Sequence, residues 1–268
     1  MNDLIKIYFS DRDPFIGYAE TRIGGRAENQ DSLSYADTPL GFLVTVCDGM
    51  GGGPGGKTAS SIAVAEIVKG VLENADRKDH TPADIVKAAV EQANTAILTT
   101  GKKHPELRGM GSTATVLLLH EQAAIVAHVG DSRVYQLRDH EKVFRTFDHS
   151  VVFEMVRHHI LTEEEARLSP QSNIITRALG IDADLEVEIN VVPYEAGDRF
   201  MLCSDGVHGA MPEKQLIKLA TRKHSDLGAV VDRIASVCDE LGREGGNRHD
   251  NLTLAIIQAK KDSLAPSL

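Results

Sequence analysis

Hydrophobic residues along this chain fall into short runs, and the spacing within each run predicts the element that it forms. A nearly continuous apolar run, rich in β-branched and aromatic residues, covers Gly41 to Cys47 and predicts a buried strand. Apolar residues at helical spacing over Ala59 to Leu72 predict a helix soon afterwards. Asp48 and a glycine-rich stretch lie between them, so the glycines connect a strand to a helix.

The same patterns predict elements along the rest of the chain. Strands are predicted at 16–23, 32–36, 113–120, 123–129, 134–137, 185–192, 199–203 and 251–259, and helices at 59–74, 82–100, 148–160, from Thr162, at 212–221 and at 225–241. Several links between consecutive strands, such as 120–122 and 130–133, are too short for the crossover that parallel strands need. Antiparallel strands covered by two helical layers are therefore expected.

Length and composition favour one large domain. The chain has 268 residues with 42% hydrophobic content, enough for a sizeable core, and no linker, repeat or low-complexity tract divides it. We therefore predict a single domain over residues 1–268. Cys47, Cys203 and Cys238 are widely spaced in apolar segments, which predicts buried thiols rather than disulfides or a zinc site.

The net charge of −10 reduces the number of function classes that fit this chain. It argues against nucleic acid as a partner, because phosphate backbones are held by clustered Lys and Arg. An excess of carboxylates is compatible with divalent cations instead. The first 15 residues carry charges inside any possible apolar core, so a secretion signal is not expected there, and no later run approaches the roughly 20 apolar residues of a membrane span. A cytoplasmic protein without a membrane partner is the prediction.

The glycine-rich stretch admits three interpretations. Gly51 to Thr58 matches G-x-x-x-x-G-K-[ST] between a strand and a helix, the context of a P-loop that holds nucleotide phosphates. In the second interpretation Asp48 is a metal ligand, and the glycines let backbone and substrate approach it. The third is a flexible connection. The P-loop is disfavoured by the antiparallel strands and by Pro54, which lacks a backbone N–H.

Five carboxylates lie at the ends of predicted strands: Asp31, Asp48, Asp131, Asp205 and Asp250. An aspartate in a turn ordinarily just hydrogen-bonds the local backbone. If all five converged, however, their repulsion would require neutralisation by cations. A ligand set made only of oxygen selects Mg²⁺ or Mn²⁺ over zinc.

Eight short motifs carry a resemblance to a known family, the metal-dependent serine/threonine protein phosphatases of type 2C (PPM). In order they are Arg26-Ala27-Glu28-Asn29-Gln30-Asp31, Asp48-Gly49-Met50-Gly51-Gly52, Gly111-Ser112-Thr113, Gly130-Asp131-Ser132-Arg133, Asp148-His149-Ser150, Ile175-Thr176-Arg177-Ala178-Leu179, Ser204-Asp205-Gly206 and Asp250-Asn251. The match spans residues 24 to 257, and Asp-Gly-Met-Gly-Gly is similar to the bacterial members.

The resemblance implies the fold and the site. The fold is α+β, a four-layer αββα sandwich of two antiparallel β-sheets packed face to face and flanked by helices, with a flap at about 148–180. Arg26 would grip the substrate phosphate. The metal ligands would be Asp48, which bridges two ions, the Gly49 carbonyl, Asp205 and Asp250 on the first ion, Asp31 through bound water, and Asp131 at a third site.

The implied activity is hydrolysis of phosphoserine and phosphothreonine in proteins. A water activated by two ions of Mn²⁺ or Mg²⁺, or three with the third site filled, would attack phosphorus directly. The partners would be phosphorylated proteins, the targets of a serine/threonine kinase. Two alternatives remain: a P-loop nucleotide hydrolase using 51–58, and a regulatory module of this fold that binds phosphoproteins with little turnover.

Two positions depart from the family pattern. Methionine at position 50 replaces the histidine of the animal enzymes and cannot act as an acid. Lys57 stands where many bacterial relatives have glutamate after glycine. His149 lies in a motif but is expected to form structural hydrogen bonds, and His128 is expected to pack in the core.

Overall fold

The computed structural model describes residues 5–9, 15–51, 54–121, 123–222, 226–246 and 249–260. Its contacts divide the chain into two compact units. Unit A comprises Gln30–Ser132 and Thr146–Val192, and unit B comprises Met1–Asn29, Arg133–Arg145 and Pro193–Leu268.

The described residues form strands and helices that we number in chain order. The strands are β1 (Ile5–Phe9), β2 (Phe15–Arg22), β3 (Ser32–Thr38), β4 (Gly41–Cys47), β5 (Gly49–Met50), β6 (Gly111–Ser112), β7 (Ala114–Leu119), β8 (Ala124–Val129), β9 (Arg133–Arg138), β10 (Glu141–Arg145), β11 (Glu188–Val192), β12 (Arg199–Cys203) and β13 (Leu252–Ala259). The helices are α1 (Pro54–Asn74), α2 (Pro82–Lys103), α3 (Val151–Arg157), α4 (Glu163–Leu168), α5 (Asp205–His208), α6 (Glu213–Ala220) and α7 (Leu227–Glu244), with a 3₁₀ turn at Pro105–Leu107.

Unit A contains a five-stranded sheet in the order β11-β8-β7-β4-β3, and a short ladder pairs β5 with β6. Helices α1 and α2 pack on this sheet. The buried core joins residues of the strands, such as Leu43 and Val116, to Ile67 of α1 and Val90 of α2. The long apolar runs of the sequence are therefore explained by strands that are buried beneath a helical layer.

Unit B contains a six-stranded sheet in the order β1-β2-β13-β12-β9-β10. Helices α6 and α7 cover it, and the core joins Tyr135 and Met201 of the strands to Val231 and Ile234 of α7. Every pairing between the described strands in both units is antiparallel. The antiparallel prediction is confirmed, and the topology excludes the parallel sheet that a P-loop hydrolase requires among these strands.

Helix boundaries differ from the predictions where caps decide them. Helix α2 begins as predicted, because Thr81 and Asp84 form a reciprocal capping box ahead of Pro82. The helix predicted at 148–160 is shorter, since Ser150 caps α3 by accepting from the Phe153 N–H. Helix α1 begins at Pro54 rather than at Ala59. Gly55 to Thr58 are therefore helical, a start that apolar periodicity could not show.

Residues 148–180 of unit A contain α3 and α4 and form a small separate core. Val152, Phe153 and Ala166 are buried against one another, and Val156 packs against this cluster. Val152 and Val156 therefore make ordinary core contacts. We call residues 148–180 the flap.

The three cysteines are buried as free thiols, as predicted. In the part of the chain that the structure describes, no helix combines the length and the apolar character needed to cross a membrane.

Candidate metal and phosphate site

The hairpin of β3 and β4 places two predicted ligands at one end of the unit A sheet. Ser32 pairs with Cys47 in the antiparallel register. Asp31 directly precedes β3 and Asp48 directly follows β4, so the two aspartates are neighbours at the same end, as the sequence predicted. Asp31 is only 2% exposed, whereas Asp48 is half-buried.

The backbone of Asp48 is held on both sides by the segment that precedes β7. Its N–H donates to Thr113 Oγ1 at 2.9 Å, and its carbonyl accepts from the Thr113 N–H at 2.8 Å. Ser112 Oγ also donates to that carbonyl at 3.0 Å. These bonds fix the position of the Asp48 backbone at the end of β4.

Asp131 follows β8 at the same end of the sheet, because Ala114 at the start of β7 pairs with Val129. The turn depends on Gly130, which has a φ of +101°. A Cβ there would lie 2.7 Å from Thr113 Cγ2. Thr113 Oγ1 also lies 2.8 Å from Ser132 Oγ, so one threonine connects the segments that carry Asp48 and Asp131.

The glycines after Asp48 serve close backbone packing. A Cβ on Gly49 would lie 2.0 Å from the Gly56 carbonyl oxygen and 2.7 Å from that of Gln30. Lys57 does not point at a nucleotide site: its Nζ donates to the Asp31 carbonyl at 2.7 Å. Lys57 therefore ties the first turn of α1 to the segment that carries Asp31.

In unit B, Asp205 and Asp250 lie on adjacent backbone segments. Ser204 donates its N–H to the Thr253 carbonyl at 2.9 Å, which aligns the ends of β12 and β13. A Cβ on Gly206 would lie 2.1 Å from the Asn251 carbonyl oxygen. Only glycine allows the residue after Asp205 to approach the residue after Asp250 so closely.

Arg26 and Asp250 form an ion pair in unit B, with Nη2 and Oδ2 2.6 Å apart. The turn before Arg26 packs on the same segment, since the Gly25 N–H donates to the His249 carbonyl at 3.0 Å. A Cβ on Gly24, which has a φ of +62°, would lie 2.1 Å from the Asp250 carbonyl oxygen. The predicted phosphate-binding arginine is thus held beside a predicted metal ligand.

The structure therefore groups the predicted residues within each unit. Unit A brings together Asp31, Asp48, Gly49 and Asp131, and unit B brings together Arg26, Asp205 and Asp250. Carboxylate and carbonyl oxygens make up the candidate ligand set. This donor chemistry fits Mg²⁺ or Mn²⁺ rather than zinc.

A second cluster in unit A contains His128, His149 and Glu188, whose ligand atoms lie within 4.8 Å of one another. His149 Nδ1 accepts from the Gly130 N–H at 3.2 Å, so the neutral ring carries its proton on Nε2, 3.2 Å from Glu188. The expected structural role of His149 is confirmed, and the buried position of His128 agrees with the prediction of core packing.

Glu188 and Cys47 of unit A have displaced pKa values. The hydrogen bond from His149 holds the pKa of Glu188 at about 2, although burial opposes the shift. Burial, helped by the charge of Asp31, raises the pKa of Cys47 to about 12. Cys47 is therefore a protonated core residue and not a nucleophile.

The sequence did not assign a role to Thr113 or to Asn251. Asn251 Nδ2 donates to the carbonyls of Ile23 and Glu28, at 2.7 and 3.0 Å, and so shapes the turn that carries Arg26. Both residues lie inside short motifs, and these motifs were the sequence signal that could have pointed to their roles. Their functions depend on contacts across many residues of sequence and could not be read from spacing.

Comparison with known proteins identifies the class to which this fold and site belong. The family model for protein phosphatase 2C matches residues 20–251. The chain is 30% identical over 236 residues to the serine/threonine phosphatase stp of Listeria monocytogenes, covering 88% of each chain. It therefore belongs to the protein phosphatase 2C family, and the resemblance predicted from the motifs is confirmed.

Solved structures agree with this assignment. The serine/threonine phosphatase of S. agalactiae matches with a TM-score of 0.79 and 29% identity, covering 92% of this chain and 100% of that one. The catalytic domain of the phosphatase PstP, solved with two manganese ions, matches with a TM-score of 0.77 and 28% identity over 92% and 99% of the chains. The predicted α+β sandwich class is confirmed by these matches.

Proposed function

We propose that this chain hydrolyses phosphoserine and phosphothreonine in proteins and requires Mn²⁺ or Mg²⁺. The observation that carries the proposal is the grouping of Asp31, Asp48 and Asp131 at one end of the unit A sheet, in a chain of a known phosphatase family. Thr113 connects the segments that carry Asp48 and Asp131. Acidic side chains clustered in this way repel one another unless cations neutralise them.

The residues present fit divalent cations. We propose that Asp31, Asp48, Asp131, Asp205 and Asp250 and the Gly49 carbonyl hold them, as the two manganese ions of PstP suggest by analogy. Bound divalent cations supply charge neutralisation for the phosphate and lower the pKa of water. The all-oxygen donors and the backbone bonds that hold Asp48 support this role.

Arg26 is proposed to bind the substrate phosphate. Its guanidinium offers a planar set of N–H donors that match phosphate oxygens, and its side chain is 53% exposed. Methionine at position 50 has no proton to donate, so the leaving alkoxide takes its proton from another donor. Lys57 is engaged with the Asp31 carbonyl and has a structural role.

We propose that the substrates are phosphoproteins made by a serine/threonine kinase and that the enzyme acts in cytoplasmic signal transduction. The named activities of the relatives and the net charge of −10 support this choice over a nucleic-acid or membrane partner. We further propose that residues 1–268 act as a single catalytic domain with the flap as a subdomain.

The test is the metal dependence of turnover with matched variants. Hydrolysis of p-nitrophenyl phosphate and of a phosphothreonine peptide should vanish after demetallation and return with Mn²⁺. Asp48→Asn and Asp250→Asn should each lower kcat/KM at least a hundredfold, about 3 kcal/mol, and weaken Mn²⁺ binding in calorimetry. Asp79→Asn is the control, because Asp79 is an exposed carboxylate paired with Arg77 at 3.1 Å.

Three results would contradict the proposal. Full turnover in demetallated protein would remove the metal requirement. Tight ATP binding that depends on Lys57 would restore the P-loop alternative. Tight binding of the phosphopeptide without turnover in Mn²⁺ would favour a regulatory module.

A further inference from the structure

Unit A contains a cavity of about 520 Å³ that the proposed phosphatase chemistry does not use. Its wall combines the carboxyl end of α2, the segment around the following 3₁₀ turn, and the end of the flap with the next residue. The lining residues are Ile97, Leu98, Gly101, Lys102, Pro105, Arg108, Gly109, Met110, Gly180 and Ile181. Its volume lies within the range of about 300–1,000 Å³ typical of ligand sites.

The cavity has an apolar surface that water contacts. Ile97 and Met110 are buried at 0% and 2% exposure and line its inner part. Ile181, by contrast, is 55% exposed, although it is a large aliphatic residue. An exposed aliphatic side chain beside a preformed apolar cavity marks a surface suited to a partner's side chain.

The shape of the cavity is fixed by the backbone around Gly180. Gly180 has a φ of +82°, and a Cβ there would lie 2.3 Å from Ile97 Cγ2. Asn94 of α2 holds this segment from both sides: its Oδ1 accepts from the Gly180 N–H at 2.6 Å, and its Nδ2 donates to the Asp182 carbonyl at 2.8 Å. The cavity is therefore formed by the fold itself, and ligand binding does not incur the entropic cost of ordering it.

Two cations line the cavity. Lys102 and Arg108 are both exposed, and within the described ranges neither forms an ion pair. The nearby carboxylates have other contacts: Glu106 pairs with His104 at 3.5 Å, and Asp182 accepts from the Asp184 N–H at 3.0 Å. Although the whole chain has a net charge of −10, these two cations make the charge beside the cavity positive, which suits an anion next to an apolar group.

The cavity wall continues into the strands that hold Asp48. Met110 is followed by β6, which pairs with β5, so that Met50 faces Gly111. At the other wall, the Leu179 N–H donates to the Ser112 carbonyl at 2.8 Å, and Ser112 Oγ contacts the Asp48 carbonyl. A peptide bound in the cavity would therefore contact backbone segments that are hydrogen-bonded to the segment that carries Asp48.

We propose that the cavity docks substrate proteins through an unphosphorylated segment in which an aliphatic or aromatic residue is flanked by carboxylates. The apolar side chain packs on Ile97, Met110 and Ile181, and the carboxylates meet Lys102 and Arg108. The inference that docking promotes dephosphorylation rests on the proposed function. Binding of the unphosphorylated segment to the cavity does not depend on it. Docking raises the local concentration of the phosphorylated residue of the same protein.

The test compares two phosphothreonine peptides that differ only in a distal anchor. One carries Glu-Glu-Phe-Glu-Glu and the other Gln-Gln-Phe-Gln-Gln. Lys102→Glu and Arg108→Glu should each raise KM for the acidic peptide about fivefold with kcat unchanged, as expected for loss of uniform binding. Lys103→Glu is the matched control, because Lys103 is the exposed neighbour on the same helix and does not line the cavity. It should change KM less than about twofold.

Binding is measured separately, by fluorescence anisotropy of the labelled unphosphorylated anchor. Ile181→Ser should weaken the binding of both anchors, and Lys102→Glu that of the acidic anchor alone. Equal weakening by Lys102→Glu and Lys103→Glu, or equal affinity of the two anchors for the unaltered chain, would overturn the proposal. If anchor binding follows the prediction while p-nitrophenyl phosphate is not hydrolysed, the docking site stands and the proposed function fails.

Discussion

Arg26 Nη2 lies 2.6 Å from Asp250 Oδ2, so the predicted phosphate-binding arginine is paired with a predicted metal ligand. The two side chains are 53% and 37% exposed. An ion pair this accessible contributes less than about 1 kcal/mol. Arg26 can therefore exchange this partner for a phosphate at little cost, and in the meantime the pair keeps the guanidinium beside Asp250.

The first prediction concerns Arg26. Arg26→Ala should lower kcat/KM for a phosphothreonine peptide about 10- to 100-fold, because charged hydrogen bonds contribute about 1.5–3 kcal/mol. Steady-state kinetics in saturating Mn²⁺ measures this. Arg26→Lys should recover only part of the loss, since lysine keeps the charge but not the forked geometry.

Arg77→Ala is the control for that measurement. Arg77 is also about half exposed and pairs with one aspartate, at 3.1 Å, but lies on the connection between α1 and α2. Its removal should leave kcat/KM unchanged. Equal kinetics for Arg26→Ala and Arg77→Ala would show that Arg26 is only a surface ion-pair partner.

The second prediction concerns Thr113, which accepts from the Asp48 N–H and contacts Ser132. Thr113→Val keeps the shape but removes both contacts, so we expect kcat/KM to fall about tenfold and Mn²⁺ affinity to weaken through Asp48. Metal titration by calorimetry separates this positioning role from a general loss of stability.

Thr115→Val is the matched control for Thr113. Thr115 is equally buried and its Oγ1 donates to the Val46 carbonyl at 2.8 Å, two residues along the same segment. Both variants should lose about 1 kcal/mol of unfolding free energy, but only Thr113→Val should alter Mn²⁺ affinity. If the two variants behave alike toward Mn²⁺, Thr113 is a structural residue only.

The sequence predicted most of the fold, because each unit buries its sheet under helices and therefore needs long apolar runs. The strand at 41–47 and the start of α2 at Pro82 match the structure residue by residue. The antiparallel topology followed from short links such as 130–133. Elements without such runs escaped prediction, among them the two-residue strands β5 and β6 and the exposed strand β10.

The candidate site was predictable only in its residue types. Aspartates at strand ends could be found by pattern, and the pairing of Asp31 with Asp48 followed from hairpin geometry. The contacts that hold them could not be found, since Thr113 is 65 residues from Asp48 in the chain and Arg26 is 224 residues from Asp250. Such contacts are set by tertiary packing rather than by local propensity.

The third prediction uses the pKa of Glu188. Its hydrogen bond from His149 lowers this pKa from 4.5 to about 2, so the charged form stabilises the fold. The contribution is fully present above about pH 4.5 and is lost as the pH falls through 2. The unfolding free energy of Glu188→Gln should therefore fall below that of the unaltered chain at pH 7, and the difference should shrink steadily in acid.

Urea denaturation at several pH values measures the effect of Glu188. Glu186→Gln is the control, because Glu186 is 76% exposed and its ion pair with Arg177 contributes little. A difference for Glu188→Gln that stays constant between pH 7 and pH 3 would contradict the assigned cause.

The flap has a stable base and an exposed apolar outer surface. The His149 N–H donates to the Gly130 carbonyl at 2.8 Å, and the Thr176 N–H donates to the His149 carbonyl at 2.8 Å. These bonds anchor the flap beside Asp131. Farther out, Ile160 and Leu168 are 68% and 66% exposed, and they belong to neither the flap core nor the sheet core.

The last prediction is that the flap sets the choice among phosphopeptides more than the rate of hydrolysis. Segments of this length bordering a site usually serve recognition, and its exposed aliphatic residues suit contacts with a peptide. Exchanging residues 151–174 for those of a relative keeps the anchoring bonds at His149 and Thr176. The exchange should reorder kcat/KM among phosphopeptides and leave p-nitrophenyl phosphate hydrolysis within about twofold. Val191→Ser, which alters an exposed apolar residue of β11, should leave the order unchanged. A folded chimera with the original peptide ranking would show that recognition lies elsewhere. The anchor-peptide measurements on Lys102→Glu would then show whether the cavity of unit A carries this recognition.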